Sequence, residues 1–225
     1  MQNFQVLDLT HPLDSKAPTW TGGCGFHLEV KQGYDQIFCV QQIKMHAGVG
    51  THMDAPSHRF EGAPSIHQIP IEHLIGPACV IDVSKKADAD YEISEADIDE
   101  YEKKYGAIPK NGICIGYTGW DRFWKDAKRY RNEDETGVMH FPSFSGRAAE
   151  LLLHRGVSGI AIDTISPDAP SSDFPVHKHI LGAGKYIIEN IANVSKLPPK
   201  GALLIALPIY AVNATEAPSR VIALL

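Results

Sequence analysis

The residues best equipped for chemistry in this chain lie in one short stretch, HAGVGTHMDAPSH, residues 46–58. It holds three histidines, His46, His52 and His58, and one carboxylate, Asp54. All four fall on even positions, so an extended chain aims them at one face. Pro56 shares their parity and pushes the residue before it toward extended backbone. Gly48 and Gly50 let the backbone approach a ligand closely or bulge without a Cβ clash. Neutral imidazole together with carboxylate suits Zn²⁺ or Mn²⁺. Two or three ligands do not close such a site, so more must come from elsewhere. The chain has eleven histidines, and the spacing by itself fits hydrogen-bonded core histidines as well as it fits ligands.

A second group of candidates lies in DTISPDAPSSDFPVHKHILGAGKYIIENIANVSKLP, residues 163–198. Glu189 ends the apolar run YIIE, where a charged residue is either solvated or a ligand. Burying an unpaired carboxylate there would cost several kcal/mol, on the order given for buried ions, unless a cation meets it. The residue types leave His177 against His179 open, and Glu189 against Asp163, Asp168 and Asp173. Other chemistries fit poorly. FPSFSGRA lacks the G-x-S-x-G elbow of a serine hydrolase, so Ser143 and Ser145 read as helix N-caps. GAGK, residues 182–185, has His179 where a phosphate-binding loop needs its first glycine, and reads as a turn before YIIE.

The elements that must position these residues read as a β-rich α/β fold. Apolar runs predict strands over 4–9, 37–45, 78–83, 112–117, 159–163, 186–189, 202–207 and 220–225. Several are almost wholly apolar, as strands covered on both faces are. ISEADIDEYEKKYG predicts a helix with Ser94 as N-cap, Asp97 three residues on, Lys103 and Lys104 in the last turn and Gly106 past the end. SFSGRAAELLLHRG predicts another, with Ala148, Ala149, Leu152 and Leu153 facing inward and Gly156 as the stop. A third, shorter helix is expected from about Glu189. Strands outnumber helices without strict alternation, so the expectation is one domain over 1–225 with a mixed sheet and not a doubly wound one.

Composition narrows the function. The chain has 225 residues, 44% of them hydrophobic and 21% charged, ordinary for a globular protein. Its formal charge of −6 and lack of a Lys/Arg cluster argue against nucleic-acid or anionic-membrane partners. Cys39, Cys79 and Cys114 sit in apolar runs, and with Cys24 they form no C-x-x-C pair. They read as free, buried thiols in a reducing compartment. The N-terminal residues lack a signal-peptide pattern and no apolar run is long enough to span a bilayer, so the cytoplasm is expected.

GTHMDAPSH resembles the signature of the metal-dependent cyclase/hydrolase family, H-x-G-T-H-x-D-x-P-x-H, which includes bacterial kynurenine formamidases and isatin hydrolases. LDLTHPLDSKAPTW, YTGWDRFW, IAIDTISPD and FPVHKHILGAGKYIIENIANVSKLP are similar to further family segments, in the same order along most of the chain. The resemblance implies a barrel-like core of swivelling β/β/α type. It implies His52 and Asp54 as metal ligands and His58 as general acid/base. A later histidine and a glutamate twelve residues beyond it complete the ligand set, a separation met by His177 and Glu189 and not by His179.

The chain departs from the pattern in one place. The family's first metal-binding histidine, four residues before the T-H histidine, falls on Gly48. His46 keeps strand parity and can replace it if the segment carries a two-residue insertion. Aligned without a gap, that ligand is absent and the count turns from two ions toward one. The function expected is hydrolysis of a small, aromatic formamide or a cyclic amide by water that the ion activates, with His58 moving the protons. Trp20 on the opening loop is the first choice to contact substrate, ahead of Phe26, Tyr117 and Trp120. Alternatives are a lactone or lactam hydrolase with a non-aromatic substrate, and a non-catalytic metal- or ligand-binding member. A homodimer or homotetramer is expected.

Overall fold

The computed structural model describes residues 5–225. Strand β1 (Val6–Asp8) leads to a hairpin of β2 (Phe26–Gln32) and β3 (Val40–Met45), then to β4 (His52–Asp54) and β5 (Ile75–Asp82). After β6 (Glu92–Ile93) come helix α1 (Glu95–Tyr105), β7 (Ile113–Tyr117) and α2 (Ala127–Arg131). β8 (Ser143–Phe144), α3 (Gly146–His154), β9 (Gly159–Ile162) and α4 (Pro175–Gly182) follow. The chain ends in β10 (Tyr186–Glu189), β11 (Lys200–Pro208) and β12 (Glu216–Leu224).

Seven strands close on themselves in the order β12-β11-β5-β7-β9-β10-β4, because β4 pairs with both β10 and β12. The β5-β7-β9-β10 pairs are parallel and the others antiparallel, so the barrel is mixed, as expected. β4 and β1 share one edge of β12: β4 lies opposite Glu216–Pro218 and β1 opposite Ile222–Leu224.

Strand alternation sorts the core into two layers. Ala78, Val80, Ile113, Ile115, Ala161 and Ile188 fill the barrel interior. Their neighbours Cys79, Ile81, Cys114, Ile160, Ile162 and Ile187 point outward and pack under the helices. From α1 come Ile98 and Tyr101, from α3 Ala148, Ala149 and Leu152, and from α4 Val176 and Ile180. Both faces of β5, β7 and β9 are thus covered, which is why those runs are almost wholly apolar.

The expected ends of α1 and α3 are met. Ser94 and Asp97 form a capping box on α1, and Ser145 Oγ accepts from the Ala148 N–H at 3.1 Å on α3. Ser143 belongs to β8 and caps nothing. Gly184 takes φ +73° in the turn before β10.

Other expectations need correction. The helix foreseen from Glu189 does not form, because Asn190 and Asn193 both take positive φ; one 3₁₀ turn at Val194–Lys196 remains. The strand expected from residue 37 begins at Val40, after a turn in which Ile37 has φ +80°. Cys39 is half-buried there, whereas Cys79 and Cys114 are buried. Strand β2 and helices α2 and α4 were not foreseen. Of the strand read over 4–9, residue 4 lies outside the described residues. No described helix is long and apolar enough to cross a membrane.

Candidate metal centre

β4 is only three residues long, but it is paired on both edges and fully buried. Met53 points into the barrel with Ile188 and Ala217, its partners on β10 and β12. His52 and Asp54 therefore point outward. Directly across from His52 is Glu189 on β10, and directly across from Asp54 is Glu216 on β12. Residues opposite one another in an antiparallel pair share a face, so two strand rows bring His52, Asp54, Glu189 and Glu216 to one patch of the outer wall.

His177 descends on this patch from the first turn of α4. Asp168 fixes it in place: its carboxylate accepts from the Val176 N–H at 2.8 Å, the His177 N–H at 2.9 Å and His177 Nδ1 at 2.7 Å. One side chain thus caps the helix and orients the imidazole. His52 is oriented from the other side, with Nδ1 donating to the Gly50 carbonyl at 2.8 Å. That carbonyl also accepts from Asn190 Nδ2 at 2.9 Å. Gly50 has φ +67°, and a Cβ there would come 2.2 Å from Leu13 Cδ2, so a side chain at 50 would be strained and would have to displace the Leu13 methyl.

With both Nδ1 atoms engaged, both Nε2 atoms face carboxylates. His52 Nε2 lies 3.5 Å from Asp54 Oδ1 and 3.3 Å from Glu189 Oε2. His177 Nε2 lies 3.6 Å from Asp54 Oδ2 and 3.5 Å from Glu189 Oε1. Each carboxylate thus turns one oxygen toward His52 and the other toward His177. Asp54 is 1% exposed, and neither of its oxygens has a hydrogen-bond partner. A buried carboxylate in that state calls for a cation.

The electrostatics agree. Burial opposes charge on His52, but Glu189 and Asp54 outweigh it and raise its pKa to about 10. Burial likewise works against charge on His177, and Asp168, Asp54 and Glu189 raise it to about 10. For Asp54, burial pushes upward and the surrounding histidines reverse it to below the usual carboxylate range. Burial and the neighbouring Asp54 push Glu189 above that range. The cluster therefore attracts positive charge, and its donor set of imidazole nitrogen and carboxylate oxygen fits a divalent ion such as Zn²⁺ or Mn²⁺.

His58 reaches the patch by a route the sequence did not indicate. The extended backbone stops at Ala55, and Pro56–His58 form a 3₁₀ turn. The turn, and not strand parity, brings a His58 nitrogen within 4.8 Å of atoms of Asp54 and His177. Its Nδ1 is 3.5 Å from Glu216 Oε2. His46 lines the same cavity, but among the described residues it joins neither metal-capable cluster; Glu189 joins neither as well, and differs from His46 in facing both imidazoles. His179 turns away toward Glu150, 3.5 Å distant. Asp173 is exposed, and Asp163 serves the backbone, accepting from the Thr118 and Trp120 N–H groups at 2.9 and 2.8 Å.

The patch floors a cavity of about 460 Å³ that Trp20, Ile165, Phe174 and Arg59 help to line. Trp20 lies 6.1 Å from Phe174, ring centre to ring centre. The other aromatic candidates are elsewhere. Trp120 is buried with Nε1 donating to the Tyr130 carbonyl at 2.8 Å, Tyr117 lines a different cavity, and Phe26 packs on a separate apolar cluster. Sequence reasoning missed two residues. Asp168, one of the carboxylates that the residue types leave open as ligands, is the partner of His177. The signal of Glu216 is a strand register, which no linear spacing carries.

Comparison with known proteins bears on this site. The Cyclase family model matches residues 7–169. The isatin hydrolase of Roseibium aggregatum is 33% identical over 186 residues, 78% of this chain and 70% of that protein. The kynurenine formamidase of Bacillus cereus is 23% identical over 225 residues, 99% of this chain and 98% of that one. The solved structure of isatin hydrolase A from Labrenzia aggregata, bound to benzyl benzoate, superimposes with a TM-score of 0.91 at 32% identity, covering 99% of this chain and 94% of that one.

Proposed function

The chain belongs to the Cyclase family, and from that premise we propose that it is a metal-dependent hydrolase of small amides, with a cyclic aromatic amide of the isatin type as substrate. The observation that carries this reading is the Asp54 carboxylate, buried without a hydrogen bond between two imidazole Nε2 atoms. His52, Asp54, His177 and Glu189 would hold the ion. When bound, such an ion supplies Lewis acidity toward a carbonyl and makes water a stronger acid.

The protein's own groups then have distinct tasks. Asp168 and Gly50 hold the two imidazoles in one tautomer and one orientation. Trp20 and Phe174 offer flat apolar surface to an aromatic ring. Amide hydrolysis adds water to the carbonyl carbon and breaks the C–N bond. His58 takes the proton that water loses and returns it to the departing nitrogen. Glu216 faces His58 Nδ1 and favours one ring orientation. The preference for a cyclic amide over an aryl formamide rests on the higher identity to isatin hydrolase, 33% over 186 residues against 23% to 28% for kynurenine formamidases over 225 and 219 residues. The four free cysteines support a reducing compartment, the cytoplasm.

The test is metal content after purification, followed by a panel of isatins, aryl formamides and lactones. Stoichiometric Zn²⁺ or Mn²⁺ and turnover of isatins are expected. His58→Ala should keep its metal and lose ~10²–10⁴-fold in turnover, the usual contribution of an acid/base group. Metal-loaded protein inert toward the whole panel would sink the reading.

A further inference from the structure

We propose that Glu216 is itself a ligand of the ion, taking from β12 the place that Gly48 leaves open. The inference rests on the metal reading above and adds a residue that no part of the histidine motif supplies.

Register comes first. Glu216 lies directly across from Asp54 on the edge of β4 opposite to Glu189. Its side chain therefore leaves the sheet on the same outward face as those of His52, Asp54 and Glu189. Reach comes second. Single ligand atoms of His52, Asp54 and Glu216 all lie within 4.8 Å of one another.

Volume comes third. A Cβ built on Gly48 would sit 2.8 Å from Glu216 Oε2 and 3.2 Å from Oε1. The carboxylate fills the space that a side chain at 48 would need, so a histidine there would have to displace the Glu216 carboxylate from its present position. The glycine is needed for that volume alone, since its φ is not in the left-handed region.

Charge comes fourth. Asp54, Glu189 and Glu216 converge, and among the described residues their ion-pair partners are histidines, with no lysine or arginine. Glu216 stands beside a carboxylate that is buried and has no hydrogen bond. Imidazoles bind a metal in their neutral form, so three carboxylates beside them leave negative charge that a divalent cation would offset. Replacing an imidazole by a carboxylate also makes the donor set richer in oxygen, which shifts preference from Zn²⁺ toward Mn²⁺.

The test measures Mn²⁺ binding to the full chain by titration calorimetry, with Mn²⁺ electron paramagnetic resonance as a second readout and circular dichroism as the check on folding. Glu216→Gln keeps the shape and removes the charge. It should weaken Mn²⁺ binding by ~10-fold or more, since even partners that only orient ligands are worth that much, and should alter the resonance of the bound ion. Glu216→Ala should do the same, and adding Gly48→His to it should restore most of the affinity, because the new imidazole then has room. Glu216→Gln binding Mn²⁺ within twofold of wild type, while Asp54→Asn loses it, would overturn the assignment and leave Glu216 as a partner of His58 alone. Wild type and Asp54→Asn binding equally would instead remove the metal reading as a whole.

Discussion

The β10-β4-β12 wall and the β2-β3 hairpin are both antiparallel sheet, and they differ in what covers them. The hairpin has the longer strands, seven and six residues, yet neither contains a buried residue. Val30 and Ile43 are 57% and 55% exposed, and only the base is anchored, where Phe26 and Met45 touch an apolar cluster. β4 has three residues, all buried, with a strand on each side and the barrel core behind. Length does not decide which region is rigid. Pairing on two edges and burial do, and a metal-capable cluster needs the region where neighbours over-determine each side chain.

Substitutions can break or sharpen that contrast. The largest stability effect is expected at Gly50. Gly50→Ala meets both a positive φ and the Leu13 side chain, and should cost about 2 to 4 kcal/mol in denaturant unfolding. It should also disturb His52, whose Nδ1 bonds the carbonyl of that residue. A cost near zero would mean that the wall is as pliant as the hairpin.

Asp168→Asn comes next. It leaves the size of the side chain unchanged but weakens the hold on His177, so metal affinity should fall by ~10- to 100-fold, as for other partners of ligating histidines. Calorimetry with Mn²⁺ reads this directly, and unchanged affinity would show that α4 positions the imidazole without help. The smallest effect is expected on the hairpin. Val30→Thr and Ile43→Thr should each change unfolding free energy by less than about 0.5 kcal/mol and leave metal content untouched. A clearly larger loss would show that these side chains are covered in solution and would narrow the contrast.

The fold was legible where burial is two-sided. The runs at β5, β7, β9 and β10 are apolar because helices and barrel core press on opposite faces, and a linear scan sees that. The hairpin strand β2 and helix α4 were less visible. FHLEVKQ alternates without burying either face, and PVHKHILG takes its N-terminal cap from Asp168, seven residues before Pro175, where no local capping rule looks.

The site divides in the same way. Residue types and spacing marked THMDAPSH but left His177 against His179 and Glu189 against the aspartates open; the family resemblance pointed to His52, Asp54, His58, His177 and Glu189, which the structure brings near one another. Strand alternation accounts for His52 and Asp54 on β4 alone; Glu189 comes from β10, His177 from α4 and His58 from a turn. How His58 arrives was misread, since a proline-started 3₁₀ turn replaces the extended chain.

By itself, then, the sequence determined a mixed α/β fold and the family pattern, because alternation and motif spacing are properties of a single chain. Only the tertiary structure decided which carboxylates face which imidazoles, that Asp168 orients His177, and that Glu216 stands over Gly48. Those relations depend on the register between strands brought side by side by barrel closure, and register is a property of pairs.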